Sequence, residues 1–357
     1  MNIKSLLLGS AAALAVVSGA QAADAVVAAE PEPMEYVKVC DAYGTGFFYI
    51  PGTETCLKID GQLRYEKRFS KAGDNNVTYD NHSRFKLNAE ARNDSEWGTV
   101  YSWIRIQGDQ VNNYNRKSGE WDPTTHSFPT TGSHGLNWYY YFGIGGLEFG
   151  NFDSQWAKFF GYGGFTDDGG VYTNDWDIDS RQYVSYTADF GSVKAYISLD
   201  NDADEFYVRS SEIGAGDSHG RKYMPDVTAG VSATLGDWQV AGGAAYDESD
   251  ESFALKGLVA GNFGMFGVRG MAMYSNSDFN IYQKYDGFTG ILGLQAKVTD
   301  TITLSKDIQF WDNGDWRIVG DVNWQVASGF SVLVEGVYAD RFDTKTKTGM
   351  LRFQRDF

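Results

Sequence analysis

The sequence contains few of the residues on which several common classes of protein depend. Among 357 residues there are two cysteines and six prolines, and 30 lysines and arginines stand against 47 aspartates and glutamates. The resulting charge of −17 argues against a nucleic-acid-binding protein, which needs a basic surface to neutralise phosphates. A mean hydropathy of −0.38 excludes a polytopic helical membrane protein, which would need repeated apolar stretches of about 20 residues.

Glycine and aromatic residues are abundant instead. There are 42 glycines, and phenylalanine, tryptophan and tyrosine together make up 15% of the chain. A chain this rich in aromatic residues can bury enough apolar surface to fold, so disorder is not expected. No window carries a sustained apolar stripe with a period of 3.6 residues, which favours an all-β protein over a helical one.

The first 22 residues have the features of a secretory signal peptide. Lys4 gives a basic start, residues 6–17 are mostly apolar, and Ala20-Gln21-Ala22 has the small-residue spacing of a cleavage site. Removing residues 1–22 leaves 357 − 22 = 335 residues, and losing Lys4 changes the charge from −17 to −18. Export to an oxidising compartment favours a disulfide between Cys40 and Cys56, although two buried free thiols remain an alternative.

Apolar and polar residues alternate along many segments. Leu57, Ile59 and Leu63 alternate with charged residues such as Lys58 and Arg64. Alternation alone fits a soluble β-sandwich as well as a barrel. Three further features favour the membrane: segments of about ten residues, tight turns alternating with long polar connections, and aromatic residues eight positions apart on the apolar face. The aromatic pairs are Trp238 and Tyr246, Trp316 and Trp324, and Phe330 and Tyr338.

These features predict a 16-stranded antiparallel transmembrane β-barrel with short periplasmic turns, long outer loops and both termini in the periplasm. Sixteen strands enclose a water-filled lumen, whereas eight would be filled by side chains. Residues 1–22 are then the signal peptide, 23–56 a periplasmic N-terminal segment with the disulfide, and 57–357 the barrel. The predicted strands are 57–68, 79–92, 98–109, 136–144, 146–152, 180–188, 191–200, 225–235, 237–247, 253–262, 265–274, 286–298, 300–310, 315–326, 329–339 and 348–357.

Two stretches of the sequence resemble a known family. Residues 39–44 (VCDAYG) with 47–57 (FFYIPGTETCL), and the ending 352–357 (RFQRDF), are similar to alphaproteobacterial general porins of the Brucella type. The resemblance implies a homotrimer in outer-membrane lipid and lipopolysaccharide, which passes ions and small hydrophilic solutes passively and uses no cofactor. It also implies that the third outer loop folds into the barrel, and a final Phe357 is usual in substrates of outer-membrane assembly.

Charged side chains of the first strands are candidates for the pore constriction. Arg64, Lys86 and Arg105 each lie about seven residues from the periplasmic end of a strand, and Arg84 is one step above Lys86 on the same face. Equal offsets place them at similar heights, which predicts a basic ladder near the middle of the lumen. The alternative is that these charges are merely solvated on a wet wall.

The third outer loop, residues 151–179, is acidic. Six aspartates stand against Lys158, a net charge of −5; they are Asp153, Asp167, Asp168, Asp175, Asp177 and Asp179. An acidic loop facing the basic ladder would set up a transverse field and weak cation selectivity. Residues 175–179 also resemble the start of a Ca²⁺ loop, but the glycine and glutamate expected later are Ser180 and Tyr186.

Enzyme motifs are weak. The four histidines lack His-Glu-x-x-His spacing, and Ser218 beside His219 does not define a catalytic triad, which depends on geometry. The leading hypothesis is therefore an outer-membrane general-diffusion porin. The alternative is a surface receptor or adhesin whose barrel serves mainly as an anchor.

Overall fold

The protein is seen in a computed structural model that describes residues 38–73, 76–115, 130–166, 181–201 and 224–357. A 3-10 turn (Asp41–Tyr43) and the short strand β1 (Phe48–Tyr49) precede sixteen antiparallel strands. The sixteen are β2 (Cys56–Ala72), β3 (Asn76–Ser95), β4 (Gly98–Asn115), β5 (Thr130–Ile144), β6 (Leu147–Phe152), β7 (Arg181–Asp189), β8 (Val193–Asp200), β9 (Asp226–Leu235), β10 (Trp238–Asp247), β11 (Ser252–Phe263), β12 (Phe266–Ser275), β13 (Gly287–Lys297), β14 (Ile302–Trp311), β15 (Trp316–Ala327), β16 (Phe330–Arg341) and β17 (Thr344–Asp356). Helix α1 (Gln155–Lys158) follows β6.

The sheet closes into a barrel. Each strand from β2 onward pairs with the next one, and β17 pairs back with β2. At the seam, the backbones of Gly61 and Phe357 exchange two hydrogen bonds of 2.9 and 3.0 Å. Gly61 has no side chain, and a Cβ there would lie 2.5 Å from the Phe357 ring. Closure removes the edge strands, so every strand finds backbone partners on both sides.

The outer and inner faces differ in polarity as the alternation predicts. Leu63, Phe85, Val322 and Val334 lie exposed on the outer face. The residues between them point to the inner face, where much of the buried polar surface is found. An apolar exterior around a polar interior is the arrangement of a barrel in lipid, and it confirms the predicted all-β, 16-stranded fold. Within the described ranges no helix is long and apolar enough to cross a bilayer.

The first four barrel strands are longer than predicted. Strand β4 continues to Asn115 and β5 begins at Thr130, whereas residues 110–135 were expected to be a loop. Likewise β2 extends to Ala72 and β3 begins at Asn76. The sequences of these extensions are mostly polar and lack regular alternation, as expected where strands continue beyond the apolar band into water. Periodicity alone therefore could not detect them.

The turns on one side are tight, as predicted. Gly145 and Gly329 adopt positive φ values of 56° and 67° in turns that leave two residues between consecutive strands. Glycine is favoured there because it reaches this region without the steric cost of a Cβ. The connections on the opposite side include the long ones: residues 116–129 between β4 and β5, and 153–180 between β6 and β7.

Lys306 departs from the apolar pattern of the outer face. It is exposed on the same face of β14 as Leu304 and Ile308. Its cross-strand partner on β15 is Gly320, which lies midway between Trp316 and Trp324. Because those two tryptophans are exposed on the outer face about one band height apart, Lys306 lies near the middle of the apolar band.

Candidate functional site: a constriction between the inner wall and the third loop

The four basic residues predicted for the constriction lie together on the inner face of β2, β3 and β4. Arg64 pairs directly with Arg84, and Lys86, one step further along β3, lies between Gln62 and Gln107. Arg105 pairs with Asn88, the next inward residue of β3. Residues opposite each other on neighbouring strands have Cβ atoms about 5 Å apart, and diagonal neighbours about 7–8 Å. The four side chains thus form one patch, the basic patch.

Each arginine of the basic patch is held in place. Arg64 forms an ion pair of 3.4 Å with Glu66, and Arg84 donates from Nε to Asp109 at 2.5 Å. Arg105 donates from Nε to Asn88 Oδ1 at 2.9 Å, and its guanidinium group stacks over the Trp103 ring, 4.7 Å from the centroid. Such fixed guanidinium groups present positive charge at defined positions with little conformational freedom left to lose.

Sequence reasoning missed the buried charges beside this patch on the same inner face. Glu66 is fully buried, and Arg352 donates to it at 2.6 Å from across the barrel seam. His82 lies between Glu66 and Asp109, with its two ring nitrogens 3.0 and 2.8 Å from their carboxylates. The available signal was the position of these residues on inward sites of adjacent strands. Which strands are adjacent at the seam, however, follows only from closure, because Arg352 and Glu66 are 286 residues apart.

Helix α1 opens the third loop and packs inside the barrel. Ser154 caps the helix by accepting a hydrogen bond from the Ala157 amide. Trp156 and Phe160 are fully buried in an apolar cluster with inward residues of β8 and β10–β13. Lys256 on β11 donates to the Trp156 carbonyl at 3.1 Å and lies 4.5 Å from the centre of its ring. Helix α1 is therefore fixed against the part of the inner wall that β8 and β10–β13 form.

Tyr282, in the connection between β12 and β13, belongs to the same apolar cluster as Trp156 and Phe160. The Trp156 indole donates to its backbone carbonyl at 3.2 Å, and the rings meet edge to face. Its hydroxyl lies 3.1 and 3.2 Å from the carboxylates of Asp200 and Asp226 and shares its one hydrogen between them. Burial, reinforced by these two carboxylates, raises the pKa of Tyr282 well above its ordinary value. The phenol therefore remains protonated and keeps its donor role.

The far part of the described loop is fastened to β14. Asp307 accepts hydrogen bonds from the amides of Phe165 (3.0 Å) and Thr166 (2.7 Å) and from the Thr166 hydroxyl (2.5 Å). Gly164 lies so close that a Cβ there would be 2.2 Å from the Asp307 carboxyl carbon. Arg269 on β12 donates to the Gly164 carbonyl at 3.3 Å. Residues 153–166 thus run along the interior from the end of β6 to β14.

Among the aspartates predicted to line the constriction, Asp153 lies at the base of this loop. Its carboxylate accepts a 2.6 Å hydrogen bond from the Tyr162 hydroxyl. Asp153 and Tyr162 are both close enough to Arg105 to interact with it electrostatically. The described part of the loop therefore presents at least one carboxylate to the basic patch. The remaining candidates lie outside the described residues, as does the segment that resembles a Ca²⁺ loop; the candidates are Asp167, Asp168, Asp175, Asp177 and Asp179.

The other predicted residues are found at the ends of the barrel. The predicted disulfide is present: Cys40 and Cys56 are bonded and buried with Phe47 beside the start of β2. Phe357 lies at the seam, as described above. The aromatic residues predicted as girdles all lie on outward positions near strand ends, with Trp316 and Tyr338 in ring contact at 5.3 Å; they are Trp238, Tyr246, Trp316, Trp324, Phe330 and Tyr338.

A closed 16-stranded barrel with an apolar exterior, a charged inner wall and a loop folded inside defines an outer-membrane porin. Comparison with known proteins agrees, because the family model described as "Porin subfamily" matches residues 24–354. The chain belongs to this porin family. It is 35% identical over 384 residues to "Porin Omp2b" of Brucella canis, with all of both chains covered.

Solved structures show the same fold at low identity. The Salmonella typhi OmpF complex with daunomycin superposes with a TM-score of 0.56 at 7% identity, covering 85% of this chain and 98% of that one. The anion-selective porin from Comamonas acidovorans gives a TM-score of 0.55 at 11% identity, covering 85% and 100%. The protein is a general-diffusion porin of the outer membrane and not an enzyme, and the receptor or adhesin alternative is not favoured.

Proposed function

We propose that the basic patch and the third loop form the narrowest part of the pore, and that this constriction gives a weak preference for cations. The observation that carries the proposal is the double attachment of residues 153–166, through Trp156 at one end and Asp307 at the other. A loop held at both ends across the interior narrows the lumen and brings fixed charges close to every solute that passes. Ions and small hydrophilic solutes, including neutral ones, would permeate passively.

The selectivity follows from the balance of charge. The basic patch contributes four cations, but Glu66, Asp109 and Asp153 lie beside it, and the loop as a whole carries a net charge of −5. Fixed charges in a constriction with low-dielectric walls act strongly on passing ions, whereas salt screens rim charges beyond about 8–10 Å. We therefore expect a small excess of cation current that shrinks as the salt concentration rises.

The test is the zero-current potential across a KCl gradient in planar bilayers. Wild type should be weakly cation-selective, Asp153→Asn less so, and the double variant Arg64→Gln with Arg105→Gln more so. Lys297→Gln, which removes a charge from the exposed end of β13, is the matched control and should leave the potential unchanged. An anion-selective wild type, or constriction variants that behave like the control, would overturn this assignment.

We also infer the surroundings of the barrel. We propose that a signal peptidase cleaves the chain after Ala22 and removes residues 1–22. Residues 23–56 would then remain as a periplasmic segment that the disulfide attaches to the start of the barrel. Family membership supports a homotrimer embedded among outer-membrane lipid and lipopolysaccharide. Intact mass of the purified protein tests the cleavage site, and chemical cross-linking in outer membranes, with a ladder ending at three subunits, tests the trimer.

A further inference from the structure

Lys86 differs from the arginines around it. Its side chain points to the inner face of β3 and is half-buried. Each neighbouring arginine has a carboxylate or amide partner, whereas no residue in the described ranges lies within hydrogen-bond or ion-pair distance of the Lys86 ammonium group. An ammonium group that keeps three unused donors in a partly desolvated place is one that gains from an incoming anion.

The surroundings of Lys86 are positive and provide further donors. Arg84 uses only its Nε–H to bind Asp109, and Arg105 uses its Nε–H to bind Asn88. Their terminal amino groups remain available within the described contacts, and Arg64, Arg84 and Arg105 are all electrostatic neighbours of Lys86. Asp109 is the carboxylate that faces Lys86, and its oxygens already accept from Arg84, His82 and Gln107.

We propose that Lys86, together with the terminal amino groups of Arg84 and Arg105, forms a binding subsite for doubly charged oxyanions inside the pore. The proposal rests on the pore function above and adds a ligand class to it: inorganic phosphate, sulfate, or the phosphate group of a small permeating solute. Planar guanidinium forks match the spacing of two oxygens on such an anion, and an ammonium group adds a point charge. Chloride carries a single charge on one atom, so it gains less from donors spread over three side chains than an oxyanion with several oxygens.

The subsite is compatible with a weak overall preference for cations. Selectivity for K⁺ over Cl⁻ depends on the summed charge of the constriction, including the loop aspartates. Retention of an oxyanion depends on local donors that meet it at one point. An anion that pauses at Lys86 would occupy the passage and reduce the current of other ions, so binding has an electrical signature distinct from selectivity.

The experiment is single-channel recording in fixed KCl with increasing potassium phosphate or potassium sulfate, against additional KCl of equal ionic strength. Wild type should show a saturable decrease of current with either oxyanion. In Lys86→Gln the half-blocking concentration should rise by about tenfold or more, as expected when one charge-assisted contact is lost. Lys86→Arg, which keeps charge and donors, should retain the block.

The matched control is Lys58→Gln. Lys58 also points inward on this wall, near the Phe47 ring, about 13 Å along β2 from the position opposite Lys86. The Lys58→Gln substitution removes the same charge as Lys86→Gln and should leave the block by oxyanions unchanged. A wild type without saturable block, or a block equal in Lys86→Gln and wild type, would refute the subsite. If the wild-type zero-current potential is nevertheless as proposed, the subsite alone fails and the pore function stands.

Discussion

Replacing Asp307 with asparagine tests whether the tip of the third loop is held in the lumen by one carboxylate. The carboxylate is almost fully buried and accepts three hydrogen bonds from Phe165 and Thr166. Asparagine keeps the size but offers one acceptor oxygen, and its amide group would face the loop amides donor to donor. Hydrogen bonds to a charged group contribute roughly 1.5–3 kcal/mol each, so we expect the docked tip to lose about 2–4 kcal/mol. That loss raises the undocked population roughly 30- to 900-fold.

The assay is single-channel recording of Asp307→Asn beside wild type. The variant should show rapid current fluctuation and a higher mean conductance, because the tip leaves the passage while Trp156 and Phe160 keep the loop start in place. Asp60→Asn is the control: it removes a lumen-facing carboxylate on β2, four strands from β14 around the barrel, where Asn88 donates to it, and should leave the noise unchanged. Identical noise and conductance in Asp307→Asn and wild type would show that this latch does not hold the tip.

Three further predictions concern the barrel itself. Val322→Arg, on the lipid face near the middle of the apolar band, should lower the free energy of unfolding in refolding titrations by about 2–4 kcal/mol. Asn323→Arg, which faces the lumen, should cost far less, and equal costs would show that the inward and outward assignments of β15 are wrong. Lys306→Leu should raise stability by a similar 2–4 kcal/mol in the same titration, and an unchanged value would mean that this lysine finds a polar partner outside the barrel. Replacing Cys40 and Cys56 together with serine should make the N-terminal segment protease-sensitive while the barrel stays resistant; unchanged protection would show that the disulfide does not hold the segment.

The barrel was predictable from sequence because lipid imposes a strict rule on every strand. Alternate residues of a spanning strand must be apolar, and this rule revealed all sixteen strands, even the short β6. The rule stops at the edge of the apolar band. The outer ends of β4 and β5, with residues such as Asn112 and Ser133, are hydrogen-bonded strands that carry no such signal.

The constriction was only partly predictable. Inward positions at matching heights on consecutive strands brought Arg64, Lys86 and Arg105 together, because neighbouring strands pair in register. The loop latch could not be found this way: Asp307 and Thr166 are 141 residues apart, and no periodicity links a loop tip to a distant strand. A buried aspartate at an inward position of β14, beside Gly293 and opposite a glycine-rich loop, is recognisable only in three dimensions.

The most direct test of the account is a thiol-labelling measurement at the loop. Both native cysteines are in the disulfide, so Tyr162→Cys, at an exposed position of the third loop, introduces a single reactive thiol. Attaching methanethiosulfonate reagents of increasing size during single-channel recording should reduce the conductance stepwise with the size of the attached group. Trp97→Cys, in the exposed turn between β3 and β4, should label without effect. Complete labelling of Tyr162→Cys with no change in conductance would contradict the claim that this loop forms the constriction.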